Sequence, residues 1–302
     1  MSIPRPRVFR TPATGGLRRT SNVLSFVALV AITLGPCTAP DEERSPADSG
    51  RFATNCQKVR TLEDDPIVFP SRPGASHLHD FYGADPQVVR FASVTYRQLQ
   101  AAESSCKDGL DTSLYWQPTL LVGDRRIEPV QVVAYYRSDL DPLGIRPYPP
   151  GLRIVAGDPN ADEQGPQALE RVWWSCGRGG PPKQATPLDC TDRGVGKLTA
   201  HVVFPQCWDG HSIDSVDHRS HMAFHEGSVC PASHPVQVPK LGLAFRWQIA
   251  NGEGATLSCG TPYCLHADFF NAWDQDHLTQ LVQECLVAAA DCGDREIEPK
   301  QP

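Results

Sequence analysis

Ten cysteines follow Cys37: Cys56, Cys106, Cys176, Cys190, Cys207, Cys230, Cys259, Cys264, Cys285 and Cys292. An even set of this size behind an export-type N-terminus predicts disulfides, and cross-links at that density restrict a fold more than any apolar run in the chain does. Sequence does not fix their connectivity. Pairing by proximity gives Cys56 with Cys106, Cys176 with Cys190, Cys207 with Cys230, Cys259 with Cys264 and Cys285 with Cys292 as the expected bridges. The chain has no Cys-x-x-Cys pair, which argues against a structural zinc held by thiolates.

The N-terminus supplies the context for oxidation. Arg5, Arg7, Arg10, Arg18 and Arg19 precede an apolar run from Val23 to Leu34, and small or turn-forming residues follow it. This is the layout of a secretory signal. At about a dozen residues the run falls short of the roughly 20 that a bilayer span needs, although an uncleaved anchor is the alternative. Arg18-Arg19 also admits a twin-arginine reading, and Leu34-Gly-Pro-Cys37 resembles a lipobox with Pro36 out of place before the cysteine. Residues 1–37 are read as signal peptide or N-terminal anchor and 38–54 as a flexible linker. Residues 55–293 are read as a single exported domain and 294–302 as a disordered tail. Any membrane contact is expected through the N-terminal segment alone, and the location is extracellular or at the cell surface.

The chain carries 28 basic and 35 acidic residues, a net charge of −7, and losing the arginine-rich leader makes the remainder more acidic. An acidic surface argues against a nucleic-acid partner, because phosphate binding needs a positive footprint.

Proline and glycine recur throughout, and short apolar or alternating runs lie between them. Candidate strands are Ser113–Val122, Pro129–Arg137, Leu152–Ala156, Arg171–Ser175, Thr199–Phe204 and Leu241–Ile249. Leu278, Leu281, Val282, Cys285, Leu286 and Ala289 fall on one helical face, started by Asp274 and Asp276 and stopped at Cys292-Gly293. A weaker helix is expected from Val94 to Ala102. The fold expected is mainly β: a β-sandwich-like single domain with long loops, a C-terminal α-helix and disulfide braces.

Three strings carry the chemistry: His77-Leu-His79-Asp80, Asp214-Ser-Val-Asp217-His218-Arg219-Ser-His221 and His266-Ala-Asp268. In extended chain, residues two apart share a face, so His77 pairs with His79 and His266 with Asp268. Placed on neighbouring strands, His77, His79, His266 and Asp268 would offer three nitrogens and a carboxylate, an acceptable set for a divalent metal ion. The same groups without metal would serve acid–base chemistry. His218 and His221 would face together on a helical turn, with Asp214 and Asp217 orienting the rings. The competing reading is that each histidine binds a backbone carbonyl and knits a loop. Asp80, Asp214, Asp217 and Asp268 are also candidate carboxylates for a glycosidase. Trp116 and Trp273 are expected to wall a cleft and hold sugar.

At these residues the chain resembles a family of secreted fungal and actinobacterial proteins known as domain of unknown function 1996. The matching strings run from Asp65-Pro-Ile-Val through His77-Leu-His79-Asp-Phe-Tyr-Gly83, Tyr115-Trp116-Gln-Pro118, Cys207-Trp-Asp-Gly210, Asp214-Ser-Val-Asp217-His218-Arg-Ser-His221 and Cys230-Pro-Ala-Ser-His234-Pro to Leu265-His266-Ala-Asp268-Phe-Phe-Asn271-Ala-Trp273. The resemblance implies a secreted single domain and no known reaction. It also places His234 in a motif, and Ala267 stands where the family has glycine.

These features set the expectation: hydrolysis or β-elimination of an extracellular or cell-wall polysaccharide at a His/Asp cleft that holds a divalent metal. His77, His79, Asp217, His218, His221, His266 and Asp268 form the centre, and Arg219 neutralises a uronate carboxylate. The alternatives are a non-catalytic glycan- or metal-binding module and a surface protein whose histidines only knit loops.

Overall fold

Side-chain direction in the strand Pro129–Arg137 sets the architecture. Val132, Ala134 and Tyr136 are fully buried on one side, while Tyr135 and Arg137 point to the other. The computed structural model describes residues 50–177, 182–191 and 197–293. The export segment, the linker as far as residue 49 and the tail after residue 293 lie outside the described residues.

Two sheets hold the domain. Their strands, in chain order, are β1 (Arg51–Cys56), β2 (Lys58–Leu62), β3 (His79–Asp85), β4 (Leu114–Pro118), β5 (Pro129–Arg137), β6 (Arg153–Gly157), β7 (Val172–Cys176), β8 (Leu198–Val203), β9 (Lys240–Trp247), β10 (His266–Phe270) and β11 (Asp291–Gly293). One sheet has the order β7-β8-β9-β5-β1-β11, and the other runs β2-β3-β4-β10-β6, with the short strand Glu103–Ser104 paired to β3. β1 starts at Arg51, inside the stretch read as linker.

The sheets pack face to face. Phe52, Val132, Tyr136, Leu243 and Phe245 from the first meet Tyr82, Tyr115, Ile154 and Phe269 from the second in one buried cluster. Tyr82 and Phe245 are 5.6 Å apart, centroid to centroid. Each such ring contributes about 1.5–3 kcal/mol on burial, and Phe245→Ala would cost roughly 3–5 kcal/mol through the cavity left behind. The domain is the mainly β, disulfide-braced sandwich expected.

The outer face of the second sheet is also covered. Phe81, Leu114, Trp116, Val155 and Phe270 form a second apolar cluster with Ile67 and Phe91, which come from the chain between β2 and helix α1 (Tyr96–Gln100). Asp64 fixes that covering segment. Its carboxylate binds the Arg90 guanidinium and accepts N–H bonds from Gly74, Phe91 and Ala92. Burial pushes the Asp64 pKa up, and these donors outweigh it and hold the group below the usual range.

α1 starts with a capping box at Thr95 and Gln98. The C-terminal helix α2 (Gln275–Leu281) is capped by Asp274 and passes into a π turn at Val282–Val287. Five bridges join Cys56 to Cys106, Cys176 to Cys190, Cys207 to Cys230, Cys259 to Cys264 and Cys285 to Cys292, the pairs that proximity gives. Among the described residues no helix is long and apolar enough to cross a membrane.

Candidate metal centre

Cross-strand register assembles the site. His79 on β3 lies opposite Pro118 on β4, and Phe81 lies opposite Trp116. Trp116 in turn faces Asp268 on β10, and His266 faces Gly157 on β6. His79, Phe81, Trp116, His266 and Asp268 therefore share the outer face. β4 stands between the two metal-pair strands, so His79 and His266 reach across it. Asp80, one residue from His79, points the opposite way, where it accepts from Thr61 and where burial raises its pKa to about 6.

The imidazoles are held in one tautomer. His79 Nδ1 lies 3.0 Å from the Asp64 carbonyl, and His266 Nδ1 lies 2.8 Å from the Cys264 carbonyl. A carbonyl only accepts, so each Nδ1 carries the proton and each Nε2 presents a lone pair. The two Nε2 atoms stand 3.3 Å apart. Neither can donate to the other. Two nitrogens on one tetrahedral ion, at Zn–N distances of about 2.0–2.1 Å, are separated by about 3.3 Å.

Asp268 completes the set. One ligand atom from each of His79, His266 and Asp268 lies within 4.8 Å of the other two. Both Asp268 oxygens are shut off from solvent and have no donor. The His77 ring, from the loop before β3, packs 4.3 Å from His79 and 5.1 Å from His266, and its Nε2 is likewise buried without a partner. Of these four residues His77 alone is partly exposed. Cys259 also comes near His77 and His266, but it is tied into a bridge and offers no thiolate.

Burial keeps the imidazoles neutral, lowering His77 to about 4 and His266 to about 3 and taking His79 well below its ordinary value. Neutral imidazole is the form that binds a metal ion. Burial, reinforced by the neighbouring Asp65, raises Asp268 well above the carboxylate range, and Arg219 opposes it. A bare carboxylate in this place is costly, and a bound cation reverses that balance.

At this site the family is decided. A model of the domain of unknown function DUF1996 matches residues 65–273, well over half of the chain. The chain belongs to that family. No curated protein and no solved structure matches it at a significant level. DUF1996 thus brings a boundary and no chemistry, although its matched span contains every residue of the centre. Ala267 is fully buried between the sheets.

The middle string docks beside the centre and divides in its roles. Arg153 on β6 binds Asp214 at 3.2 Å, and Asp214 binds His218 Nδ1 at 2.9 Å. His218 is electrostatically coupled to Asp65, and Arg219 to His266 and Asp268. The other two members knit the loop. His221 has one ring nitrogen on the Arg153 carbonyl and the other on Ser215 Oγ, so it offers the centre nothing. Asp217 accepts from Ser215, Arg219 and Ser220 backbone or hydroxyl groups, which hold its pKa far below the usual range. His218 and His221 do not face together on a helical turn, because His218 takes φ +57° and separates the rings. His234, the motif histidine, bonds Ser233 and the Ser220 carbonyl in the same manner.

Trp116 and Trp273 are not sugar platforms. Both are buried. Trp116 lies against Phe81 under the covering segment, and Trp273 sits between the sheets and donates to the Tyr136 hydroxyl at 3.0 Å. Asp65 is the residue that sequence reasoning left without a role. One of its oxygens accepts from Ile67 and Val68 N–H groups. Trp116 Nε1 faces it without closing a hydrogen bond, and burial raises its pKa. The available signal was the Asp64-Asp65-Pro66 turn, in which one acid anchors the loop and the next is left for the site.

Proposed function

We propose that His79, His266 and Asp268, closed by His77, bind one divalent transition-type ion, and that this exported protein uses the centre to act on polysaccharide. The observation that carries the reading is the pair of Nε2 lone pairs 3.3 Å apart beside a carboxylate with no donor. Two neutral imidazoles and a carboxylate suit zinc, and they also suit its neighbours in the first transition row. Five disulfides fit an oxidising, extracellular setting.

A bound ion of this kind supplies Lewis acidity and a water acidified toward neutral pH. The chain's own residues do the rest. His77 is the partly exposed edge of the site, where a water or a glycan oxygen would enter. Asp65, its pKa raised by burial and its carboxyl electrostatically coupled to Asp268, is the carboxyl placed for proton transfer beside the centre. Arg219 is exposed and coupled to Asp268, so it is placed to receive the carboxylate of an acidic sugar. These roles suit hydrolysis and β-elimination alike.

The test is metal analysis of the purified chain, followed by titration of stripped protein with zinc, copper, manganese and nickel. One ion per chain, lost in the His79→Ala, His266→Ala double variant, supports the centre. A chain that carries none and binds none of the four ions overturns it. Turnover is read by reducing-end release and by ultraviolet absorbance of unsaturated sugars on a glycan panel. Metal without turnover on any glycan leaves the binding-module alternative in place of the enzyme.

A further inference from the structure

The opposite side of the sandwich carries a groove that the metal centre does not use. It has a volume of about 590 Å³ and lies on the outer face of the β7-β8-β9-β5-β1-β11 sheet. Its lining includes five cations, Arg51, Arg137, Lys183, Lys240 and Arg246, against the carboxylates of Asp139 and Glu170. This reverses the sign of a chain whose net charge is −7.

The cations are concentrated by register. Lys240 on β9, Arg137 on β5 and Arg51 on β1 stand opposite one another in one cross-strand row. Like charges placed so are unfavourable unless something neutralises them. The ends of the row are served, since Asp139 pairs with Lys240 and Asp291 with Arg51. The middle has only a more distant acid: Arg137 forms no ion pair among the described residues, interacts electrostatically with the Asp291 that Arg51 already binds, and holds its guanidinium 5.1 Å above the Tyr135 ring. Further across the sheet, Arg246 donates to the Tyr135 hydroxyl, and its buried Nε has no acceptor. Lys183 lies 3.9 Å over the Trp173 ring and forms no ion pair among the described residues.

We propose that this groove binds an acidic polysaccharide. The charges span several strands spaced about 4.8 Å apart, which suits a chain of repeated anions better than one small ion. Recognition rests on charge rather than ring stacking. Trp173 has His201 stacked on one face at 4.6 Å and 7°, and Lys183 sits over the ring as well, so it offers no open platform for a neutral sugar. The groove is independent of the metal centre, and the two proposals fail separately.

Affinity electrophoresis of the full chain through gels containing polygalacturonate or neutral dextran tests it. The wild type should be retarded by polygalacturonate alone, with retardation that fades as salt rises. The Arg137→Gln, Arg246→Gln double variant should bind roughly tenfold more weakly, with unchanged metal content. Lys183→Gln, an exposed change, gives a smaller loss and serves if the double variant fails to fold. No retardation by polygalacturonate, equal retardation by dextran, or undiminished binding by the folded variants overturns the proposal. Tighter binding to a single-stranded oligonucleotide than to polygalacturonate also overturns it.

Discussion

The Cys264 carbonyl accepts the Nδ1 proton of His266 at 2.8 Å, so a disulfide half sets the tautomer of a metal-site histidine. Cys259–Cys264 spans only five residues. A loop so short contributes about 2 kcal/mol to stability in the chain-entropy picture. Its greater effect is on the site. Replacing both cysteines by serine should leave the β-rich circular dichroism intact while weakening metal affinity about 10–100-fold, the usual effect of losing a partner that orients a ligand. Isothermal titration of the stripped variant with zinc measures this, and an unchanged affinity counts against the role given to the carbonyl.

Asp268 should respond to substitution with opposite signs in the two metal states. Without an ion its oxygens are buried with no donor. Burial raises the Asp268 pKa well above its ordinary value, so folding without an ion costs the uptake of a proton; Asp268→Asn removes that cost and offers Nδ2–H donors to the nearby lone pairs. The stripped variant should therefore be as stable as the stripped wild type or more so, by about 1–3 kcal/mol. The loaded variant should lose most of the metal-induced rise in melting temperature. Thermal unfolding with and without saturating zinc gives both readings.

The four candidate ligands were legible because period-two spacing in β3 and β10 is a local property. What lies between them was not. The sequence does not say that β4 separates the two strands or that Pro118 stands in the row. Asp65 was missed because its role arises only when the covering segment folds over the sheet and brings it beside Asp268. The same segment explains the error at Trp116, an indole on the site face that is sealed beneath a loop. In the middle string the residue types suggested a cluster, but side-chain bonds within a turn claimed Asp217 and His221. The fold was easier to read, since strands such as Pro129–Arg137 declare themselves by β-branched and aromatic content.

Gly157 stands opposite His266 with φ +83°, and an added Cβ would lie 2.6 Å from the Leu265 carbonyl oxygen and 2.8 Å from His266 Cα. Both obstacles are backbone. Gly157→Ala should destabilise the domain by more than about 1 kcal/mol and displace His266 from His79. Urea unfolding and metal titration of the same variant should show both losses together. A variant that binds metal with wild-type affinity would mean that β10 shifts without disturbing the ligands.

A buried relay away from the site supplies a pH prediction. Trp273 Nε1 donates to Tyr136, Tyr136 to Tyr115 and Tyr115 to Asp111, whose other oxygen accepts from the Ser113 N–H. Burial raises the Asp111 pKa from 3.8 to about 7, despite these donors. Between those values the folded state holds a proton that the unfolded state has released. The contribution of Asp111 is therefore complete below about pH 4 and declines as pH rises toward 7. Asp111→Asn cannot titrate. The wild-type stability minus that of Asp111→Asn, from urea unfolding at pH 4 to 8, should fall by a few kcal/mol across the window and level off above it. A flat difference would mean that the relay keeps Asp111 ionised throughout.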